Sequence, residues 1–242
     1  MNGLVVEGLR AGYGAVNVLH DVSITVREGE LVALLGMNGN GKSTLLNAVM
    51  GFVKPSAGSI RLHWDGEIRT LDGQAPHRIV DLGIGYVPEG RRLVPNLTVE
   101  ENLKLAAHGR AKTDFAENLD LCFETFQILK ERRRQLAGTM SGGQQQQLAI
   151  ARALMTSPRI MVIDEPSVGL APIVVDQMIA TIKELQTKRR MTILMAEQSF
   201  FQAVEVASRA YVLAHGSIVH AIEHGLDAEA METIRNAMMG VE

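Results

Sequence analysis

Residues 31–50 read LVALLGMNGNGKSTLLNAVM. Leu31 to Leu35 is apolar throughout, as a central parallel strand covered on both faces has to be. The run that follows, Gly36-Met37-Asn38-Gly39-Asn40-Gly41-Lys42-Ser43-Thr44, fits the pattern G-x-x-x-x-G-K-[ST]. Its residue types answer to one chemistry. Glycines let the backbone curl until successive N–H groups converge on phosphate oxygens, Lys42 adds a mobile positive charge, and the Ser43 hydroxyl is a ligand for Mg2+. Thr44 to Met50 continues as a helix whose positive N-terminal end faces the same phosphates. The dinucleotide fingerprint G-x-G-x-x-G is the nearest rival, and it fails because Gly39-x-Gly41 leads to Thr44 where the last glycine is required.

A phosphate-binding loop of this kind needs a second strand ending in a carboxylate, and Ile160-Met-Val-Ile-Asp164-Glu165 supplies one with a further acid directly behind it. Asp164 is read as the group that orients Mg2+. Glu165, expected on the other side of the strand end, is read as the general base that polarises the attacking water.

Around these two stretches the chain alternates. Leu4 to Leu9, Val22 to Val26 and Ser59 to Leu62 read as strands near the start, divided by turn residues such as Gly12, Gly14 and Glu28-Gly29. Thr98-Val-Glu-Glu101 is a capping-box pattern leading into Asn102 to Ala107, and Phe115 to Arg134 continues with helical spacing, so roughly residues 95–155 form a helical lobe. Beyond Pro158 come strands at 160–164, 192–196 and 210–214, with helices at about 173–188 and 200–207 between them. Strands alternating with helices argue for an α/β core, read as one domain spanning 1–242.

Composition narrows the partners. The chain has 242 residues, 46% hydrophobic, with a formal net charge of -3. That length and content can bury a substantial core, and the charge provides no basic field for a phosphate backbone, so nucleic acid is not expected as a partner. Cys122 is the only cysteine, which excludes an internal disulfide and Cys-rich metal sites. The opening MNGLVVEGLR does not resemble a signal peptide, and no run of about 18 apolar residues occurs, so the chain is not expected to cross a membrane by itself. Glu131-Arg132-Arg133-Arg134 reads as a solvated helix end, and His215, His220 and His224 as residues of a strand-turn-strand rather than metal ligands.

Met140-Ser141-Gly142-Gly143-Gln144, running into the helix-like QQQLAIARALM, is the stretch on which the sequence resembles the ATP-binding-cassette (ABC) family. Ser-Gly-Gly-Gln is that family's signature, and it stands where the family carries it, just ahead of the acidic strand. The resemblance covers nearly the whole chain. It implies an α/β ABC ATPase fold, a P-loop NTPase (RecA-like) core with an antiparallel β subdomain and an inserted helical lobe, with ATP and Mg2+ as the bound species and a second ATPase subunit, identical or homologous, whose ATP is contacted by Ser141, Gly142, Gly143 and Gln144. It further implies that Tyr13 stacks on adenine, and that the loop Val87 to Arg92 senses the metal and touches the membrane partner. That loop usually carries Gln; here it carries Glu89, an oxygen donor to water or Mg2+ that adds negative charge beside the triphosphate. In the segment Ser167 to Pro172, Ala171 stands where the family usually has Asp. At the end of TILMA, Gln198 replaces the usual His of the γ-phosphate switch. An amide donates one hydrogen bond and accepts another but takes no proton near neutral pH, so Gln198 is expected to position and sense rather than shuttle protons.

Pro-Glu-Gly-Arg-Arg, Gly-Leu-Ala-Pro and Glu-Gln together resemble the ATP-binding subunits of bacterial branched-chain amino acid importers and their urea or amide relatives. That likeness implies membrane-spanning permease subunits above the ATPase pair, a periplasmic substrate-binding protein delivering cargo, and a peripheral location on the cytoplasmic face of the inner membrane. Branched-chain amino acids, urea and short amides remain alternatives as cargo at this point. A soluble ABC ATPase acting on DNA or the ribosome is disfavoured, because such proteins insert long modules or fuse two cassettes.

Overall fold

A computed structural model describes residues 2–107 and 114–223. Two sheets and a set of helices make up the fold. The antiparallel sheet has four strands in the order β2-β1-β4-β5, with β1 at Gly3–Tyr13, β2 at Val16–Arg27, β4 at Ala57–Trp64 and β5 at Glu67–Thr70. The larger sheet has six strands. Its members are β3 (Leu31–Leu35), β6 (Ile84–Val87), β7 (Ile160–Asp164), β8 (Thr192–Glu197), β9 (Arg209–Ala214) and β10 (Ser217–Ile222), in the order β10-β9-β3-β8-β7-β6. Pairing is parallel from β9 through β6, and only β10 runs antiparallel, as the second arm of a hairpin with β9. This is a mixed α/β architecture, a mostly parallel sheet beside a separate antiparallel one.

The burial of each strand explains its composition. β3, β7 and β8 are fully buried, so they are apolar along their interiors, with polar residues only at the ends, at Asp164, Thr192 and Glu197. β1 alternates buried and exposed positions, with Leu4, Val6, Leu9 and Ala11 turned inward. One core joins this antiparallel sheet to one face of the large sheet through α1 (Lys42–Val49). A second core covers the other face with α7 (Pro172–Arg189) and α6 (Gly142–Leu154). The helix α2 (Pro76–Asp81) packs beside β6.

The helical region contains α3 (Val99–Ala106), α4 (Phe115–Thr125), α5 (Gln127–Glu131) and α6. The capping box at Thr98 forms: the Thr98 hydroxyl accepts from Glu101 N at 3.3 Å, and Glu101 Oε2 accepts from Thr98 N at 2.8 Å. The expected continuous helical stretch from Phe115 to Arg134 is two helices instead. Phe126, at φ -128° and ψ 79°, leaves helical geometry and inserts its buried ring into the second core.

Register places the site. Leu35 is paired with Glu197 across β3 and β8, and Asp164 with Ala196 across β7 and β8. Three neighbouring parallel strands therefore end at one level. Their carboxyl ends deliver the loop after Leu35, the acids at 164–165 and the polar segment at 197–199 to the same edge, the usual location of ligand sites in open parallel sheets.

Candidate nucleotide site

The loop Gly36 to Gly41 leaves β3 and turns directly into α1. A Cβ on Gly36 would lie 2.4 Å from Leu213 O, so only glycine admits that close strand approach. Gly41 has φ +102°, and a Cβ there would lie 2.9 Å from Leu19 Cδ2. Val18 and Leu19 of β2 thus pack against the loop's end, and Tyr13 lies on the hairpin formed by the same two strands, half-exposed and paired with Val16. Asn40 anchors the far side: its Oδ1 accepts from His215 N at 3.3 Å and its carbonyl from Gly216 N at 3.2 Å. His215, at φ 48°, is the turn residue of the β9–β10 hairpin, as the sequence implied, and this turn props the loop. Among the described residues no cluster of three or more His, Cys, Asp or Glu could hold a metal, and His224 lies outside them.

Lys42 is 3% exposed and folds back over the loop. Its Nζ donates to Gly36 O at 2.7 Å and Met37 O at 3.2 Å, and pairs with Glu165 Oε1 at 2.9 Å. Next to it, Ser43 Oγ donates to Asp164 Oδ1 at 3.2 Å. Strict strand alternation would send Asp164 and Glu165 to opposite sides. The structure does otherwise: Glu165 takes a left-handed backbone, φ 46°, and both carboxylates meet consecutive side chains of the same loop. The left-handed region is costly for a residue with a Cβ, and such strain persists only where its surroundings hold it.

Burial dominates the electrostatics. The Asp164 carboxyl is pushed up to about 6, first by desolvation, with the charges of Glu165 and Glu89 adding and the Ser43 bond opposing. A divalent cation at this spot would reverse that penalty, and the hard oxygens of Ser43 and Asp164 suit Mg2+, which keeps water and phosphate oxygens in most of its positions. Tyr86, which the sequence did not single out, joins this group: burial and the adjacent Asp164 carboxylate both push its phenol up. Glu89 is exposed just beyond β6. Cys122 is buried, its thiol pushed up to about 12 by desolvation, which removes it from chemistry.

At the carboxyl end of β8, on the same edge, the polar cluster separates by depth. Glu197 has no exposed surface, accepts from Ser167 Oγ at 2.8 Å and Ser167 N at 3.3 Å, and has its carboxyl pushed up by burial. Gln198 is exposed and lines a groove with Ser167, Leu170, Pro172 and Gln202. Glu197 is, with Tyr86, a residue whose place the sequence reading missed, since nothing in TILMAEQ tells a buried acid from an exposed one.

Ser141, Gly142, Gly143 and Gln144 open α6, and among the described residues they exchange no hydrogen bond with the loop at 36–44. Ser141 is the N-cap, and the box is reciprocal: Ser141 Oγ accepts from Gln144 N at 3.4 Å, and Gln144 Oε1 accepts from Ser141 N at 3.1 Å. Arg91 Nη1 donates to Gln145 Oε1 at 3.1 Å, tying the loop after β6 to the same helix start.

A parallel sheet with a lysine-bearing glycine loop after one strand and paired acids after another defines a P-loop ATPase. The serine-capped Gly-Gly helix start in the inserted lobe narrows it to the cassette type. Comparisons agree. The ABC transporter family profile matches residues 19–168. The high-affinity branched-chain amino acid transport ATP-binding protein BraG of Pseudomonas aeruginosa is 47% identical over 86% of this chain and 87% of its own length. The probable branched-chain amino acid transport ATP-binding protein LivF of Archaeoglobus fulgidus is 36% identical over 87% of each chain. A crystal structure of a nucleotide-free ATP-binding cassette from an ABC transporter superposes with a TM-score of 0.82 at 26% identity, covering 96% of both chains. The chain belongs to the ABC transporter family. It is an ATP-binding subunit with ATPase activity, and among its described residues no helix is long and apolar enough to cross a membrane.

Proposed function

We propose that this chain hydrolyses ATP to power a multi-subunit membrane importer whose cargo is a branched-chain amino acid. One observation carries the chemistry: Lys42 and Ser43, adjacent on the glycine loop, meet Glu165 and Asp164, adjacent on the strand end. The cargo rests on the relatives named for branched-chain amino acid transport, together with Glu89, Ala171 and Gln198 at three positions where the wider family differs.

In this reading Gly36, Met37, Asn38, Gly39, Asn40, Gly41 and Thr44 cradle the phosphates with Lys42, and Tyr13 stacks on the adenine. Ser43 and Asp164 hold Mg2+, with Glu89 nearby as a further oxygen. Bound Mg2+ supplies charge neutralisation across the phosphates. Lys42 exchanges its carbonyl and Glu165 partners for phosphate oxygens, which releases the Glu165 carboxylate. Glu165 then takes the proton of the attacking water. Gln198 orients the γ-phosphate through its amide and leaves proton transfer to Glu165.

Ser141, Gly142, Gly143 and Gln144 serve the nucleotide of a second ATPase subunit, identical or homologous. The whole of 1–242 acts as one ATP-binding domain, with residues 95–155 as its signature lobe. The groove that includes Phe52, Tyr86, Pro88, Arg91, Arg92 and Leu105 lies between that lobe and the nucleotide core, and it receives a membrane-spanning permease subunit. A periplasmic binding protein supplies cargo to those permeases, and this chain works on the cytoplasmic face of the membrane. Uptake assays test the proposal. Cells lacking the chain should lose leucine uptake and regain it with the wild-type protein but not with Glu165→Gln. Intact leucine uptake beside a loss of urea or short-amide uptake would overturn the cargo assignment.

A further inference from the structure

Glu197 is a fully buried carboxylate that the steps above leave unused. Its surroundings supply hydrogen bonds: the Ser167 hydroxyl at 2.8 Å, the Ser167 backbone N–H at 3.3 Å, and the backbone N–H of Gln198. A buried acid held in this way is expensive compared with an apolar side chain of similar size. What it holds is the segment carrying the base. Glu165 lies two residues before Ser167, has φ 46°, and is followed by Pro166, which already restricts the backbone of the residue before it. Glu165 N donates to Ala196 O at 3.0 Å, so the strained turn is pinned to the end of β8 at both of its ends, at Ala196 and at Glu197.

We propose that Glu197 is the positioning residue for Glu165: its clamp on Ser167 keeps Glu165 in the left-handed conformation that aims its carboxylate at the glycine loop, and its bond to the Gln198 amide fixes the switch to the same frame. The proposal rests on the reading of Glu165 as base. Glu197 makes no contact with substrate in this scheme and acts only through its neighbours.

The test uses the assembled transporter, with single-turnover ATP hydrolysis and ATP affinity measured for Ser167→Ala, Glu197→Ala and Glu197→Gln, each alone and combined with Glu165→Gln. Ser167→Ala and Glu197→Ala should each slow hydrolysis about tenfold, the order expected on losing a hydrogen bond to a carboxylate, while ATP affinity holds. Glu197→Gln, whose amide oxygen still accepts from Ser167 N, should recover most of that loss. In the Glu165→Gln background neither alanine change should slow the reaction further. Ser167 is only partly buried, so its variant carries the test if Glu197→Ala does not assemble. Equal losses with and without Glu165, losses matched by weaker ATP binding, or a Gln variant as slow as Ala each overturn the clamp and leave the base role standing. A wild-type rate for Glu165→Gln alone removes the base, and the clamp with it.

Discussion

Two helices in this chain begin with glycines beside a residue suited to phosphate, and they begin in opposite ways. α1 starts after Gly41 in the left-handed region, with no side-chain cap, and its first residue is the buried Lys42. α6 starts after an exposed Ser141 whose hydroxyl and whose partner Gln144 satisfy each other's backbone N–H groups. The first leaves its N-terminal donors free for a ligand. In the second the Ser141 hydroxyl is already taken by Gln144 N, so a nucleotide that used that hydroxyl would have to compete with the cap. In the proposed function one chain thus carries a standing site and a conditional one, the asymmetry expected if the second engages only when another subunit brings its nucleotide.

The largest effect should fall on the standing site. If Glu165 is the base proposed above, Glu165→Gln removes it but keeps the shape of the Lys42 contact, so turnover in the assembled transporter should fall about 10²- to 10⁴-fold while ATP binding persists. A comparable loss from disabling only the α6 start, with Glu165→Gln mild, would reverse the comparison. Asp164 gives the next. Its carboxyl is raised from 3.8 to about 6 by burial, so the folded, metal-free protein retains a proton there that the unfolded chain has lost. The group's contribution to stability is full below 3.8, declines as pH rises to about 6, and above that leaves a penalty on the order of 3 kcal/mol. Asp164→Asn should therefore stabilise the metal-free protein more at about pH 7 than at about pH 4, read by urea unfolding at the two values.

Lys42→Ala removes charged donors from the standing site and should weaken ATP binding about 10- to 100-fold, the range for charge-assisted hydrogen bonds. It also strands Glu165, which is 8% exposed, without its cation. The variant should therefore melt below the wild type in the absence of nucleotide. Unchanged ATP affinity by titration would mean that the carbonyl-bound Lys42 is structural, and would erase the distinction between the two helix starts.

How far the sequence carries these two sites differs as well. β3 and β7 run over the residues that their composition marks, because a strand buried on both faces is a short apolar run that needs no partner to be recognised. The Thr98 box is equally local, closed within three residues. What escaped the sequence is set by distant neighbours. β5, Glu67–Thr70, is exposed along its length and is a strand only because β4 pairs with it. β6 is short, and its place at the sheet edge depends on β7, more than seventy residues on. Within the site, the glycine loop was legible residue by residue. The left-handed turn at Glu165, the depth of Glu197 and the arrival of Tyr86 beside Asp164 were not, since each follows from packing between separate strand ends.

The smallest effect on stability bears most directly on the conditional site. Ser141→Ala deletes one capping bond and should cost about 1 kcal/mol of stability, while the lone chain's ATP affinity stays at the wild-type value. Turnover in the assembled transporter should nevertheless fall. Capping and nucleotide contact are separable at this position, because aspartate is as good an N-cap as serine but only accepts hydrogen bonds and brings a negative charge. Ser141→Asp should restore the unfolding midpoint lost in the alanine variant yet leave turnover low, whereas Ser141→Thr, which keeps both the cap and the hydroxyl donor, should restore both. If turnover instead follows the unfolding midpoint across Ala, Asp and Thr, the start of α6 is a helix cap and nothing more, and the chain has one phosphate site rather than two.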